Sequence, residues 1–535
     1  MPQIYRGFGI DTMLFYHGVS HDEVPNEWIF EGADGSRVLG SQMSSYARYN
    51  AYQNLYRAAL YGDRIDDRTY TWNRGGMPFR MCRPDAALRH HYLLEPARGW
   101  HAELLDESIR ALRAKEIDVA TTRHLAFMMG HDSSVPDAVE LKIIERVKEL
   151  FPEDEVLHDT YPAMMEAIKA EVEWDKLVTL KGERRTPKLM PVTMHLYSDV
   201  LSSRTRMKRA NALAEYLLQR RAEPFAAAAA MLGVEYPSGL LDIAWKTLLK
   251  CHAHDSIAGS GVDDIERDMM YRLRQVANIS TGVLRNALGE IQKCVDTSAA
   301  KLDDVLVTVF NPSFQERSGV VTAQVDLPYT GPLGEFQLVD LATGAPARVQ
   351  AAARKPQTAI VNHAHDAPAN MKAERFTVHL DAEKIPALGY ACYRVDRTAR
   401  FTRGGLVVAA NTMENDALKV RIENDGTLTV LHKDTGVVFD DLNYFLDNGE
   451  AGHAWMHHNP ARDRVLDSRG FPVRIALEED GALLARYRVE CRMDVPARLE
   501  ENGGDAWQRL DGIGNAAGRS EDTVPLTVTS WVTLR

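Results

Sequence analysis

Residues 251–261 read Cys251-His252-Ala253-His254-Asp255-Ser256-Ile257-Ala258-Gly259-Ser260-Gly261, a polar, glycine-ended insert between two apolar helical patterns. Upstream, Leu241, Trp245, Leu248 and Leu249 recur at helical spacing. Downstream, Ile265, Met269, Val276, Val283 and Ala287 repeat at intervals of 4, 7, 7 and 4, the packing seam of a bundle helix running to about Val295. Earlier still, Ser203 to Leu218 is predicted helical, with Ala210, Leu213, Ala214, Leu217 and Leu218 as its buried stripe. Pro224 should kink or end that helix, because it lacks an N–H and its ring crowds the preceding turn; Phe225 to Leu232 then resumes. The insert therefore joins two members of a helical bundle.

The pattern changes on either side of this bundle. From about residue 303 the apolar period falls to two, in Val305–Phe310, Val320–Leu327, Phe376–Leu380, Leu418–Ile422 and Val524–Thr529. Turn signals such as Asn424-Asp425-Gly426 and Asp434-Thr435-Gly436 separate these runs, which predicts antiparallel strands. Before residue 195, strand-like runs (Thr12–Tyr16, Ser36–Leu39 ending in Gly40, Leu125–Met129) alternate with helical stretches (Asn50–Leu60, Pro136 to about Leu150). Such alternation predicts a mostly parallel α/β sheet. The expected fold is thus multidomain, α/β then α then β. A partial parallel-sheet α/β domain spans 1–195, a helical-bundle middle domain 196–302 and an antiparallel β-sandwich domain 303–535.

The 535 residues carry 63 Lys+Arg against 75 Asp+Glu, a formal net charge of −12. An acidic chain with scattered cations repels phosphate backbones, so no nucleic-acid partner is expected. No apolar run approaches the roughly 18 residues of a membrane span, so no membrane partner is expected either. The cysteines (82, 251, 294, 392 and 491) are odd in number, distant and without a Cys-x-x-Cys pair. That argues against a disulfide framework and for a reducing, cytoplasmic setting. A homo-oligomer is compatible with the sequence.

Ligands of open α/β sheets bind beyond the carboxyl ends of the strands. His17 follows one predicted strand, and His131-Asp132 follow another. Two readings of Asp132 stand. It is a cap for the helix that begins near Pro136, or it is a functional carboxylate whose acid role a helix N-terminus would oppose. In the insert, two imidazoles and a carboxylate could supply N and O ligands to zinc. On a continuing helix His252 and His254 point to nearly opposite sides, so only one of them should face a site and the other should pack. The tetrapeptide His-Ala-His-Asp recurs at His363–Asp366 in the β region, so the match alone carries little weight. His457-His458 reads as a solvated loop. No Ser/Cys nucleophile elbow, Walker loop or dinucleotide fingerprint sits at a strand–helix junction.

Several segments, in order, resemble a known family. Ser202-Ser203-Arg204-Thr205-Arg206-Met207-Lys208 resembles the opening of the helical middle domain of glycoside hydrolase family 38, the α-mannosidases. Glu223-Pro224, Gly233–Pro237, Ala244-Trp245-Lys246 and His254-Asp255-Ser256-Ile257 continue the likeness. Gly9–Thr12, Asp34–Leu39 and Gly130-His131-Asp132 look like its catalytic domain, and the bacterial branch that includes mannosylglycerate hydrolases looks closest.

The resemblance implies a retaining, zinc-dependent α-mannosidase acting on α-mannosides, mannosylglycerate among them. It implies Asp132 as acid/base, His254 as a zinc ligand, and Asp255 and His17 as substrate-binding residues. His17 stands where the bacterial branch often shows Arg before Gly. In the family the His-x-Asp zinc pair and the nucleophile lie before the segment matched by Met1-Pro2-Gln3, and Asp11 does not replace that nucleophile. The chain therefore reads as a fragment, cut also within the β domain at its end and impaired on its own. The alternative is a degenerate carbohydrate-binding protein without turnover.

Overall fold

The computed structural model describes residues 1–15, 19, 21, 23–42, 49–62, 81–82, 92–93, 98–130, 134–183, 198–329, 334–362, 365–451, 457, 459–501 and 516–535. Two compact units emerge, Met1–Ser198 and Asp199–Arg535.

In the first unit, the sheet has the order Thr12–Phe15, Arg37–Gln42, Glu27–Glu31, Thr179–Lys181. Its outer pairings are parallel, and the central one is an antiparallel hairpin. The hairpin closes at Asp34-Gly35: the Ser36 hydroxyl and N–H donate to the Asp34 carboxylate, and Gly35 takes φ +83°. Strand alternation buries opposite faces. Trp28, Phe30 and Val38 pack with Val19 and Val24, whereas Ile29 and Leu39 meet Met165 and Ile168 of the Tyr161–Glu171 helix. The strand does not stop at Gly40 as the sequence suggests but runs to Gln42. Gly40 serves as a close approach instead, since a Cβ there would lie 2.9 Å from Trp28 Cε2 and 3.1 Å from Phe15 Cε2.

A second core joins the helical stretch Asn50–Tyr61 to the Ala102–Val119 and Val139–Leu150 helices through Leu55, Leu105, Ile109, Leu112 and Ile143. Here the predicted Leu125–Met129 strand is corrected, because the segment joins no sheet. Its backbone is taken up by Asn50. Asn50 Nδ2 donates to Ala126 O (2.7 Å), Met128 N–H donates to Asn50 Oδ1 (2.6 Å), and Ala51 N–H donates to Met128 O (3.1 Å). Phe127 and Met129 still pack against the helical core, which is why the apolar run looked like a strand. The helix expected from Pro136 begins at Val139, whose N–H bonds Asp137 Oδ1 at 3.1 Å.

In the second unit, Thr205–Leu217, Glu223–Met231, Ser238–Lys250 and Asp263–Gln292 form the expected bundle. Pro224 does not end its helix. The ladder widens into a π segment at Leu218–Ala222, and Pro224 sits in the first turn beyond it, where a missing N–H costs least. Most of the expected stripe is inside, Ala214, Leu218, Leu241, Leu248, Met269, Val276, Val283 and Ala287 among it, whereas Leu213, Leu249 and Ile265 are exposed and Met207 and Asn211 are buried in addition.

Beyond the bundle, each named strand pairing is antiparallel. One core lies between a sheet containing Leu306–Asn311, Gln337–Asp340 and Gly389–Asp396 and another formed by Arg317–Pro328, Val349–Val361 and Ala369–Ile385. Another lies between the five strands from Val407 to Leu442 and the sheet of Val473–Glu479, Ala485–Pro496 and Thr523–Leu534. The β region is therefore two sandwiches. The hairpin turn Glu479–Leu484 of the second sandwich meets the first through Gln350, whose side chain accepts from Leu483 and Leu484 N–H, while Asp480 accepts from Leu406 and Val407 N–H within its own sandwich.

Candidate functional site

The polar insert of the bundle breaks before its second histidine. The Ser238–Lys250 helix ends at Cys251, Ala253 is extended, and a five-residue helix, His254–Ala258, ends at Gly259 with φ +82°. This break, rather than the turn of a continuing helix, separates the two imidazoles. His252 packs back, its Nε2 2.9 Å from Asn211 Oδ1 and 3.2 Å from Glu215 Oε1. His254 faces outward with 97% of its side chain exposed, 3.8 Å from the Asp255 carboxylate. Asp255 is itself braced by Ser260, whose hydroxyl donates to its backbone oxygen (3.2 Å) and Oδ1 (3.3 Å).

Two cations from the start of the bundle hold this turn. Arg204 donates from Nε to Gly259 O (3.0 Å) and from Nη2 to Gly261 O (2.9 Å), and it pairs with Asp263 and Glu266. Lys208 Nζ donates to Ala258 O (3.1 Å) and Ser203 O (2.5 Å). Burial, and then the Arg204 charge, push the Lys208 ammonium below its ordinary value. Positive groups at the carbonyl end of the short helix also suit its dipole. Arg204 stands at φ +49°, an unfavourable backbone for a non-glycine residue that the four acceptors compensate. Spacing alone could not reveal these positioning roles, since the acceptors on the turn lie 50 or more positions away.

His17 and Asp132 lie outside the described residues. What is described near Asp132 is the chain leading to it. Asn50, 1% exposed, uses its amide on Ala126, Met128, Ala51 and the buried Glu116 carboxylate. On the other flank, Asp137 accepts from the Tyr56 hydroxyl and from Arg98, both at 2.9 Å. The Val139 N–H and then the Tyr56 bond hold the Asp137 carboxyl below the usual range.

His457 is more engaged than a solvated loop residue. Its ring bonds Glu450, Asn448 and Asn459, and its N–H donates to Asp199 Oδ2 at 2.9 Å. Burial pulls its pKa down, but the Glu450 and Asn459 bonds outweigh this and hold it above the ordinary value. In the second His-Ala-His-Asp copy, His365 and Asp366 are exposed, and His363 lies outside the described residues.

Among the described residues no group of three or more His, Cys, Asp or Glu could hold a metal ion. Zinc takes four ligands, and His254 with Asp255 offers at most two, so these residues by themselves do not form a zinc site. No helix among the described residues is long and apolar enough to cross a membrane.

Comparison with known proteins bears on the same segment. Residues 195–291 match the alpha mannosidase middle domain. A putative mannosylglycerate hydrolase of Halalkalibacterium halodurans is 24% identical, covering 100% of this chain and 58% of its own length. An α-mannosidase structure from Enterococcus faecalis V583 aligns with TM-score 0.72 and 23% identity, over 100% of this chain and 57% of that one. A glycosyl hydrolase family 38 protein structure from Enterococcus faecalis gives TM-score 0.65 and 23% identity, over 100% and 56%. The chain thus spans somewhat over half the length of these relatives. The resemblance read from the sequence is met, and the α/β, helical and β architecture is that of the family-38 structures.

Proposed function

We propose that this chain, whose residues 195–291 match the alpha mannosidase middle domain, works as a retaining α-mannosidase. Its division would be 1–195 for the catalytic part, 196–302 for the middle domain and 303–535 for the β domain. The substrates are terminal α-mannosides, mannosylglycerate among them. The observation that carries the reading is the match itself, which contains the broken insert with His254 and Asp255 turned outward.

In this reading, Asp132 protonates the leaving oxygen and later activates water, while a second carboxylate about 5–5.5 Å away attacks the anomeric carbon. Asp255 and His17 bind sugar hydroxyls. His254 is one ligand of a zinc ion, a Lewis acid that would grip the sugar hydroxyls when bound. A cytoplasmic setting agrees with the unpaired cysteines.

The test is expression of the whole open reading frame that contains these residues, followed by zinc quantification and hydrolysis of p-nitrophenyl α-mannoside. Activity that falls at least a hundredfold in His254→Ala, with loss of zinc, supports the reading. Unchanged zinc content in that variant eliminates His254 as a ligand.

The exposure of His254 and Asp255 favours a second reading, a carbohydrate-binding protein without turnover. It predicts calorimetric mannose binding with no release of p-nitrophenol.

A further inference from the structure

A cleft of about 590 Å³ lies in the first unit, on the outer face of the Val139–Leu150 helix, lined by Trp100, Leu141, Lys142, Glu145, Arg146 and Glu149. Its volume falls within the roughly 300–1,000 Å³ of small-molecule sites. Trp100 is 46% exposed and Leu141 59%, so a large aromatic surface faces solvent at this point. Its carrier is not loose. The Gly99 N–H donates to Leu60 O (2.8 Å) and the His101 N–H to Ala59 O (2.9 Å), fixing the backbone on both sides of the indole. The opposite wall is equally set. Arg146 donates to both Asp106 oxygens (2.7 and 2.5 Å) and to Glu149 (2.6 Å), and Glu145 accepts from Lys148 (2.9 Å).

We propose that this cleft is a carbohydrate subsite that stacks a neutral hexopyranose on Trp100. A pyranose presents C–H groups on one face and hydroxyls around its rim. The C–H face suits the electron-rich face of an indole, and the rim suits alternating donors and acceptors. The lining supplies both, Lys142 and Arg146 as donors, Glu145 and Glu149 as acceptors. Two cations and two carboxylates leave the cleft without net charge, which favours a neutral polyhydroxy ligand over an anion or a cation. Walls already ordered by ion pairs lose little further freedom on binding. The inference stands apart from the hydrolase reading, since it uses none of the residues assigned there.

The test is titration of the full chain with α-1,2-mannobiose, followed by calorimetry and by the indole N–H signals in NMR. Saturable binding that shifts the Trp100 signal is expected. Trp100→Ala should weaken it at least tenfold, Trp100→Phe less than threefold, and Lys142→Ala severalfold. The paired His254→Ala and Asp255→Ala substitutions should leave the Trp100 shift in place. Wild-type protein that binds no mannobiose overturns the proposal. So does affinity retained in a Trp100→Ala protein with wild-type unfolding behaviour, or binding abolished by the His254 and Asp255 substitutions, which would locate the sugar there.

Discussion

Removing Arg204 should loosen the one turn on which the proposed ligand pair depends. Its side chain is 25% exposed, as is the Glu266 partner at 27%, whereas Asp263 at 79% contributes little. Two bonds to carbonyls at about 1 kcal/mol each, plus a partly buried ion pair at about 1 kcal/mol, put Arg204→Ala at about 2–4 kcal/mol of local stability. At about 1.4 kcal/mol per decade, amide exchange across Ser256–Ser260 should accelerate roughly 30- to 1,000-fold. Native-state hydrogen exchange followed by mass spectrometry reads this without assuming that the whole chain unfolds in one step. Arg204→Gly separates the clasp from the backbone. It loses the same bonds but relieves φ +49°, recovering about 1 kcal/mol, a factor of about five. Exchange in Arg204→Ala within threefold of wild type would refute the reasoning, as would a glycine variant that opens faster than the alanine one.

Asn50→Ala removes the side-chain partner of the buried Met128 N–H and of the half-buried Ala126 carbonyl. A loss of about 3 kcal/mol is expected in urea unfolding, and an unchanged midpoint would contradict the strap described for Ala126–Met128. Gly40→Ala drives a methyl into the Trp28 and Phe15 rings, at about 1–3 kcal/mol, visible as altered near-ultraviolet dichroism. Acid should weaken the fold in a defined direction. Hydrogen bonds from Arg146, Arg113 and Arg375 hold Asp106, Asp154 and Asp326 below the usual carboxylate range. Their contribution is present above the unfolded pKa of about 3.9 and is lost as pH falls through the lower folded values. The urea midpoint of wild type should fall between pH 5 and pH 2.5 by more than that of Asp326→Asn, and equal falls would count against it.

The bundle was the most legible part of the sequence, because its seam repeats over 20 residues and the insert breaks it with two glycines. Register was harder to read. Leu213, Leu249 and Ile265 are as apolar as their buried neighbours, and only tertiary packing decides which side turns in. The β region announced its strands by alternation, but the joint between its two sandwiches depends on Gln350 meeting a hairpin turn more than 130 residues away. The Leu125–Met129 error has the same origin. An apolar run bonded by one buried asparagine looks like a run bonded by a neighbouring strand, and Asn50 lies more than 70 residues away. For the site, the expected split of His252 from His254 holds through a break in the helix rather than its turn, and the Arg204 and Lys208 clasp left no mark in local spacing.

The most direct test is proton NMR of the sugar first released from p-nitrophenyl α-mannoside by zinc-loaded protein expressed from the whole open reading frame that contains these residues. The account predicts α-mannose first, at a rate that collapses in both Asp132→Asn and His254→Ala. β-Mannose first, or a rate indifferent to either substitution, would contradict it.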